Sequence, residues 1–104
     1  LEYTDLRYLM TAATGAPIGA EVSMLKLRGT ELQQRISELL MQAMGYYASP
    51  FLPEAMEYGW NEDPVGFQEA PGMAPNYFNQ RKTSIYGGSN EIQKNIIAKM
   101  VLGL

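Results

Sequence analysis

Apolar residues return at steps of three and four along most of this chain, and two stretches rich in glycine and proline interrupt the pattern. Such spacing takes one face of a helix out of water. Leu6, Leu9, Met10 and Ala13 predict the end of a helix over Leu1 to about Ala13. Thr14-Gly15-Ala16-Pro17-Ile18-Gly19 stops it, because glycine accommodates a helix cap and proline cannot continue the turn. The longest pattern predicts a helix from about Glu21 to Tyr46, with Val22, Leu25, Gly29, Leu32, Ile36, Leu39 and Ala43 as one buried stripe. Lys26, Thr30, Gln33, Gln34, Ser37 and Glu38 fall largely on its other faces. At roughly 1.5 Å per residue it spans about 39 Å, too long to stand without partners for its stripe. Gly29 either admits a close neighbouring helix or is a tolerated mid-helix glycine.

Residues 48–75 break the pattern, with Pro50, Pro53, Pro64, Pro71 and Pro75 interspersed with Gly59, Gly66 and Gly72. Eight of the eleven aromatic residues lie between Tyr46 and Phe78, which predicts a packed insert rather than a linker. Glu54 to Trp60 suits one or two helical turns after Pro53. A short helix is expected from Tyr77 to about Ser84 with Asn76 as its cap. The last helix runs from Ser89 to Leu102 and is expected to bury Ile92, Ile96, Met100, Ile97 and Val101. The fold class is all-α, a helical bundle or part of one, with a long proline-rich insert.

Composition narrows the chemistry. At 104 residues the chain has room for one core and is read as one domain over 1–104. A net charge of −3, with its Lys and Arg scattered, argues against a nucleic-acid partner. Without cysteine or histidine there is no disulfide framework, no thiolate or imidazole metal site, and no cysteine or histidine catalysis. No apolar run approaches the ~20 residues of a membrane span. Glu54, Glu57, Glu62, Asp63 and Glu69 leave paired carboxylates available in the insert, although with few basic residues among them a solvated acidic surface describes them better. The seven methionines suit core gap-filling. A first residue of Leu1 leads us to expect a piece of a longer chain.

The most specific string is Ile85-Tyr86-Gly87-Gly88-Ser89-Asn90-Glu91-Ile92-Gln93-Lys94-Asn95-Ile96-Ile97. Two glycines allow a sharp turn and close approach of a ligand to the backbone. The amides from Gly88 to Glu91 then lie at a helix N-terminus, which favours polar or anionic atoms. An ordinary loop before a capped helix has the same composition. With Ala98 and Val101-Leu102-Gly103 after it, the string resembles the C-terminal signature of the acyl-CoA dehydrogenases. Glu21-Val22-Ser23-Met24-Leu25-Lys26-Leu27 and Gln42-x-x-Gly45 resemble the family's preceding helix and its glutamine-glycine element. The likeness extends over nearly all of the chain outside 48–75.

The resemblance implies part of the family's C-terminal four-helix bundle, with the first bundle helix missing and an apolar groove left exposed that favours self-association. It implies a flavin enzyme of fatty-acid metabolism that introduces an α,β double bond into an acyl-CoA thioester and passes electrons to an electron-transfer flavoprotein. The assembly would be a homo-oligomer or a mixed oligomer, in the bacterial cytoplasm rather than the mitochondrial matrix. Gln42 and Gly45 would contact the FAD of a neighbouring subunit, and Ser89 and Glu91 would meet the FAD nucleotide. Tyr86 and Gly87 would bind substrate, the Gly87 N–H donating to the thioester carbonyl.

Three departures qualify that picture. Tyr46 stands where the family often has a second glycine, and the 48–75 insert is longer than the usual connection, as in the branch acting on dicarboxyl- or bulky acyl-CoA, although decoration of the subunit interface is the favoured reading of it. Above all, Gly87 occupies the position of the catalytic glutamate in many members, and a glycine cannot accept the α proton. Either the base lies on an earlier helix, as in some members, or the chain belongs to a noncatalytic subunit of a mixed complex. The same residues are also compatible with an acyl-CoA oxidase and with a helical interaction module that has no catalysis. Alone, the chain is expected to bind FAD weakly or not at all and to be inactive.

Overall fold

The computed structural model describes residues 1–104, the side chain of Glu21 apart. It contains α1 (Glu2–Ala13), α2 (Ser23–Met44), α3 (Ala70–Asn79) and α4 (Asn90–Met100), with 3₁₀ turns at Ala20–Val22, Gly45–Ala48, Pro53–Met56 and Gln80–Ser84. There is no strand among the described residues, so the all-α expectation holds. Two compact units are present, one comprising Leu1–Leu32 with Thr83–Leu104 and the other Gln33–Lys82. In the first, α4 packs on the Ala20–Val22 turn. In the second, α3 packs on the Gly45–Ala48 and Pro53–Met56 turns.

Helix ends follow local chemistry. Ser89 caps α4, its Oγ accepting from the Ile92 N–H at 3.3 Å, which satisfies one otherwise unpaired amide. Glu91 in the first turn of α4 and Lys99 in its last complement the helix dipole. α2 stops at Met44, where Gly45 turns left-handed with φ +58°.

The expected helix over 77–84 is corrected. α3 begins at Ala70 and takes in part of the insert; Pro71 lies in its first turn and Asn76 in its interior rather than at a cap. Proline is harmless at a first turn because its missing N–H would be unpaired there anyway, and Pro75 is carried inside the helix. After Asn79 the chain tightens into the 3₁₀ turn Gln80–Ser84. The helical turns expected over Glu54 to Trp60 contract to Pro53–Met56.

The larger correction concerns which face is buried. On α2 the buried residues are Leu27, Thr30 and Ser37. Gln34, Met41 and Met44 are half-buried in the same register, and it continues to buried Ala48. The expected stripe lies about 140° round the helix from that face, at about 100° per residue. Its lower part stands exposed, with Leu32 at 50%, Ile36 at 49% and Leu39 at 46%. The same inversion occurs on α1, where Thr4, Tyr8 and Thr11 are half-buried while Leu6, Leu9 and Met10 are exposed. On α4, Ile96 and Ile97 are half-buried as expected, but Ile92, Met100 and Val101 are exposed. Spacing marks an apolar face correctly but cannot say whether the atoms that cover it belong to the same chain.

The insert is likewise less packed than expected. Phe51, Tyr58 and Phe67 are exposed, and burial there centres on the small residues Ala48, Ala70 and Pro71. Tyr47 and Phe67 meet edge to face at 5.9 Å between ring centroids.

Candidate functional site

The sequence-derived candidates fall in two places, one in each unit. Gln42 and Gly45 lie in the second unit, and both line a recess of about 510 Å³ at the end of α2. Met41, Tyr46, Ala48, Ser49, Ala74 and Phe78 complete its lining. The wall is mainly apolar, with the Gln42 amide and the Tyr46 and Ser49 hydroxyls as polar groups. That is the usual make-up of a small-molecule site, in which apolar area holds a ligand and a few hydrogen-bonding groups orient it. Around Gly45 the space is open: a Cβ built there meets no heavy atom within 4 Å. A flat ring can therefore approach the backbone at this point.

Several of these lining residues were not singled out from the sequence. Ala74 and Phe78 join the recess because α3 begins at Ala70 and packs on the Gly45–Ala48 turn. The only advance signal was small residues at Ala70 and Ala74, one helical turn apart, where a close contact can form. Nearby, the Arg81 guanidinium donates to the Gln34 Oε1 at 3.2 Å and stacks over the Tyr77 ring at 4.6 Å. These contacts tie α2 to the segment after α3.

Tyr86, Gly87, Ser89 and Glu91 lie in the first unit, at the turn that opens into α4. Gly87 has φ +62° and Gly88 φ +84°, the left-handed region that side chains with a Cβ enter at a cost. This is the physical reason for two successive glycines. Nothing lies within 4 Å of a Cβ built on Gly87, so its backbone faces open space. Gly88 differs, because a Cβ there would come within 2.7 Å of the Gln93 Nε2, and Gln93 covers that side of the turn. Tyr86, Gly87 and Glu91 are exposed, and Ser89 is half-buried. The Ser89 hydroxyl accepts one bond and retains a proton to donate.

Beneath the turn is a polar cluster whose α2 members the apolar spacing assigns to outer faces of that helix. The Lys26 Nζ donates to the Asn90 Oδ1 at 2.7 Å and to the Thr83 carbonyl at 3.1 Å. The Asn90 Nδ2 donates to the Thr30 Oγ1 at 3.1 Å, and that hydroxyl donates to the Leu27 carbonyl at 3.0 Å. Lys26 and Thr30 stand four residues apart on α2, which puts both on one face. That spacing was the available signal, and only the fold reveals Asn90 opposite them.

Comparison with known proteins gives the class. The family model described as "Acyl-CoA dehydrogenase, C-terminal domain" matches residues 2–102. The chain therefore belongs to the acyl-CoA dehydrogenase family and corresponds to its C-terminal helical domain. It is also similar to a protein named acyl-CoA dehydrogenase IpdE1 from Mycolicibacterium smegmatis, with 68% identity over 28 residues. That stretch covers 27% of this chain and 7% of the relative's length. No solved structure matches. Among the described residues no helix is long and apolar enough to cross a membrane, and no cluster of three or more acidic side chains is placed to hold a metal ion.

Proposed function

We propose that this chain is the C-terminal domain of an FAD-dependent enzyme that oxidises an acyl-CoA thioester across its α,β bond. The observation carrying the proposal is membership of the acyl-CoA dehydrogenase family over residues 2–102. The local structure is compatible with the cofactor. The recess at Gln42 and Gly45 is mainly apolar, has three hydrogen-bonding side chains, and leaves the Gly45 backbone open to a flat ring. Gln42 and Gly45 would contact the FAD of a neighbouring subunit there, while Ser89 and Glu91, at the start of α4, would meet an FAD nucleotide. What a bound flavin supplies is a hydride acceptor for the substrate β-carbon.

The role of the turn follows from what glycine keeps and what it lacks. Gly87 has a backbone N–H, on an exposed left-handed turn, that can donate to a thioester carbonyl. Such a fixed donor stabilises negative charge as the α proton leaves, while Tyr86 beside it lines the substrate side. Gly87 cannot take the proton, and a positioned base is worth about 10²–10⁴ in rate. In this reading the base is supplied by another residue, on an earlier helix of the bundle. The exposed stripe Leu32, Ile36 and Leu39 supports assembly with further helices, in a homo-oligomer or a mixed one. An electron-transfer flavoprotein is the proposed electron acceptor.

Glycine at the base position also favours a second reading, in which the chain belongs to a noncatalytic subunit of a mixed complex. One experiment separates the two. The intact protein that carries this chain is saturated with FAD, and acyl-CoA thioesters are added without oxygen. Loss of the flavin absorbance bands is expected for the catalytic subunit. Persistence of those bands with every acyl-CoA class tried, despite bound flavin, would favour the noncatalytic reading. Rapid reoxidation by oxygen would mark an oxidase.

A further inference from the structure

We infer that Lys26 is a positioning residue for the Tyr86–Glu91 turn, because its ammonium group closes the neck of the loop that carries the Gly87 amide. The inference rests on the reading of Gly87 as a carbonyl donor and assigns the means by which that donor is held. Thr83 and Asn90 stand at the two ends of the segment containing the turn, and Lys26 bonds both, one through its backbone carbonyl and the other through its side chain. Thr83 is 1% exposed, so one side of the neck is buried. Between these points Ile85, Tyr86, Gly87 and Gly88 are exposed. The apex thus has little packing of its own, and its placement depends on how the neck is fixed.

The bonds around Asn90 form a directed chain. Lys26 N–H donates to Asn90 Oδ1, Asn90 Nδ2–H donates to Thr30 Oγ1, and the Thr30 O–H donates to the Leu27 carbonyl. The Thr30 hydroxyl lies close to both amide atoms of Asn90, 3.3 Å from Oδ1 as well, so it is the ammonium group, which can only donate, that turns the Asn90 Oδ1 toward Lys26. Asn90 is also the first residue of α4 and follows the cap Ser89 directly. Fixing its side chain against α2 therefore fixes the start of α4 and the amides just before it.

The choice of lysine supports a positioning role. Ion pairs along α2 join Arg28 to Glu31 and Arg35 to Glu38, both three residues apart. Lys26 is half-buried and bonds to two neutral oxygens instead. Partial burial of a charge against neutral acceptors carries a desolvation cost that an apolar residue would avoid. What lysine offers in return is a donor long enough to bridge two points of another segment, with more than one N–H to give.

The test uses the intact protein that carries this chain, with Lys26→Met, Asn90→Leu, Asn90→Asp and the double variant Lys26→Met/Asn90→Leu. Amide hydrogen exchange is followed over the Ile85–Asn90 segment, and kcat and KM are measured with an acyl-CoA thioester. A displaced reacting group costs on the order of 10–100-fold in rate, so Lys26→Met and Asn90→Leu should each lower kcat about tenfold with little change in KM. Exchange at Gly87 and Gly88 should quicken by a similar factor while α1 is unaffected. Asn90→Asp keeps an acceptor for Lys26 and should recover most of the turnover. The double variant should be no worse than Asn90→Leu alone, since both remove one device.

Unchanged exchange at Gly87 and Gly88 in both single variants overturns the inference, whatever the protein does with flavin. So does faster exchange without a fall in kcat, or a fall confined to KM. If Lys26→Met does not fold, the contrast between Asn90→Leu and Asn90→Asp decides. A parent protein that neither binds flavin nor turns over acyl-CoA refutes the proposed function instead, and the exchange measurement still reports whether Lys26 holds the turn.

Discussion

The Tyr86–Glu91 turn and the Gln42–Gly45 corner carry their evidence in opposite forms. The turn belongs to a long, specific string, yet Tyr86, Gly87 and Glu91 stand exposed at the start of α4. The corner rests on Gln-x-x-Gly alone, a weak pattern, yet both residues line a recess of about 510 Å³. Their means of rigidity differ too. Hydrogen bonds from Lys26 to Asn90 and from Asn90 to Thr30 tie the end of the turn to α2, whereas the corner is shaped by α3 packing on the Gly45–Ala48 turn. A motif's length therefore indicates the family it belongs to, while the fold determines where a ligand has walls to lie against. In the proposed enzyme the two are complementary, the corner supplying apolar area for a ring and the turn supplying directed polar groups.

Perturbations that separate packing from polar bonds sharpen this contrast. The largest effect is expected at Gly66, where φ is +92° and a Cβ would sit 2.5 Å from the Tyr47 ring. Gly66→Ala combines overpacking against an aromatic ring with a disfavoured backbone conformation and should cost about 3 kcal/mol. Denaturant unfolding checks it, and a loss below the precision of that measurement would show that Tyr47 yields freely. Next comes Ala74→Leu, which adds volume to the recess. It should weaken flavin retention by the intact protein about tenfold, a difference of about 1.4 kcal/mol. An equilibrium flavin titration would count against the recess as a cofactor site if affinity were unchanged.

A smaller stability effect is expected at the turn. Gly87→Glu restores a carboxylate where many family members have one, but φ is +62° there and a Cβ costs about 1 kcal/mol or somewhat more. The substitution should not raise turnover, and a large gain would contradict the assignment of the base to another residue. The smallest stability effect is expected on the exposed stripe. Ile36→Ser with Leu39→Ser should change the chain's own unfolding free energy by only about 0.5 kcal/mol or less. The same pair should impair assembly of the intact protein, which sedimentation would register as a lower oligomeric mass.

Much of the fold was legible because helices announce themselves by spacing. The ends of α1 and α4 and the extent of α2 fall close to where apolar periodicity and the Gly15 and Ser89 signals set them, although α2 stops at Met44, two residues short of the expected Tyr46. What spacing could not reveal was the inward face. Leu32, Ile36 and Leu39 mark the most apolar side of α2, but Leu27, Thr30 and Ser37 are the buried ones. An apolar stripe that the fold leaves exposed looks the same in sequence as one that it buries. The start of α3 was hidden for a different reason, since Pro71, Gly72 and Pro75 argue locally against a helix. Of the site, the glycine turn and its cap were readable from residue types. The Lys26–Asn90–Thr30 cluster was not, because it joins residues about sixty positions apart along the chain.

The central proposal is that the intact protein binds FAD. Its most direct test is the absorbance spectrum of the intact protein after saturation with FAD and removal of unbound cofactor. The account predicts retained flavin bands approaching one FAD per chain. A spectrum without flavin bands, from protein that is folded and fully assembled, would contradict it.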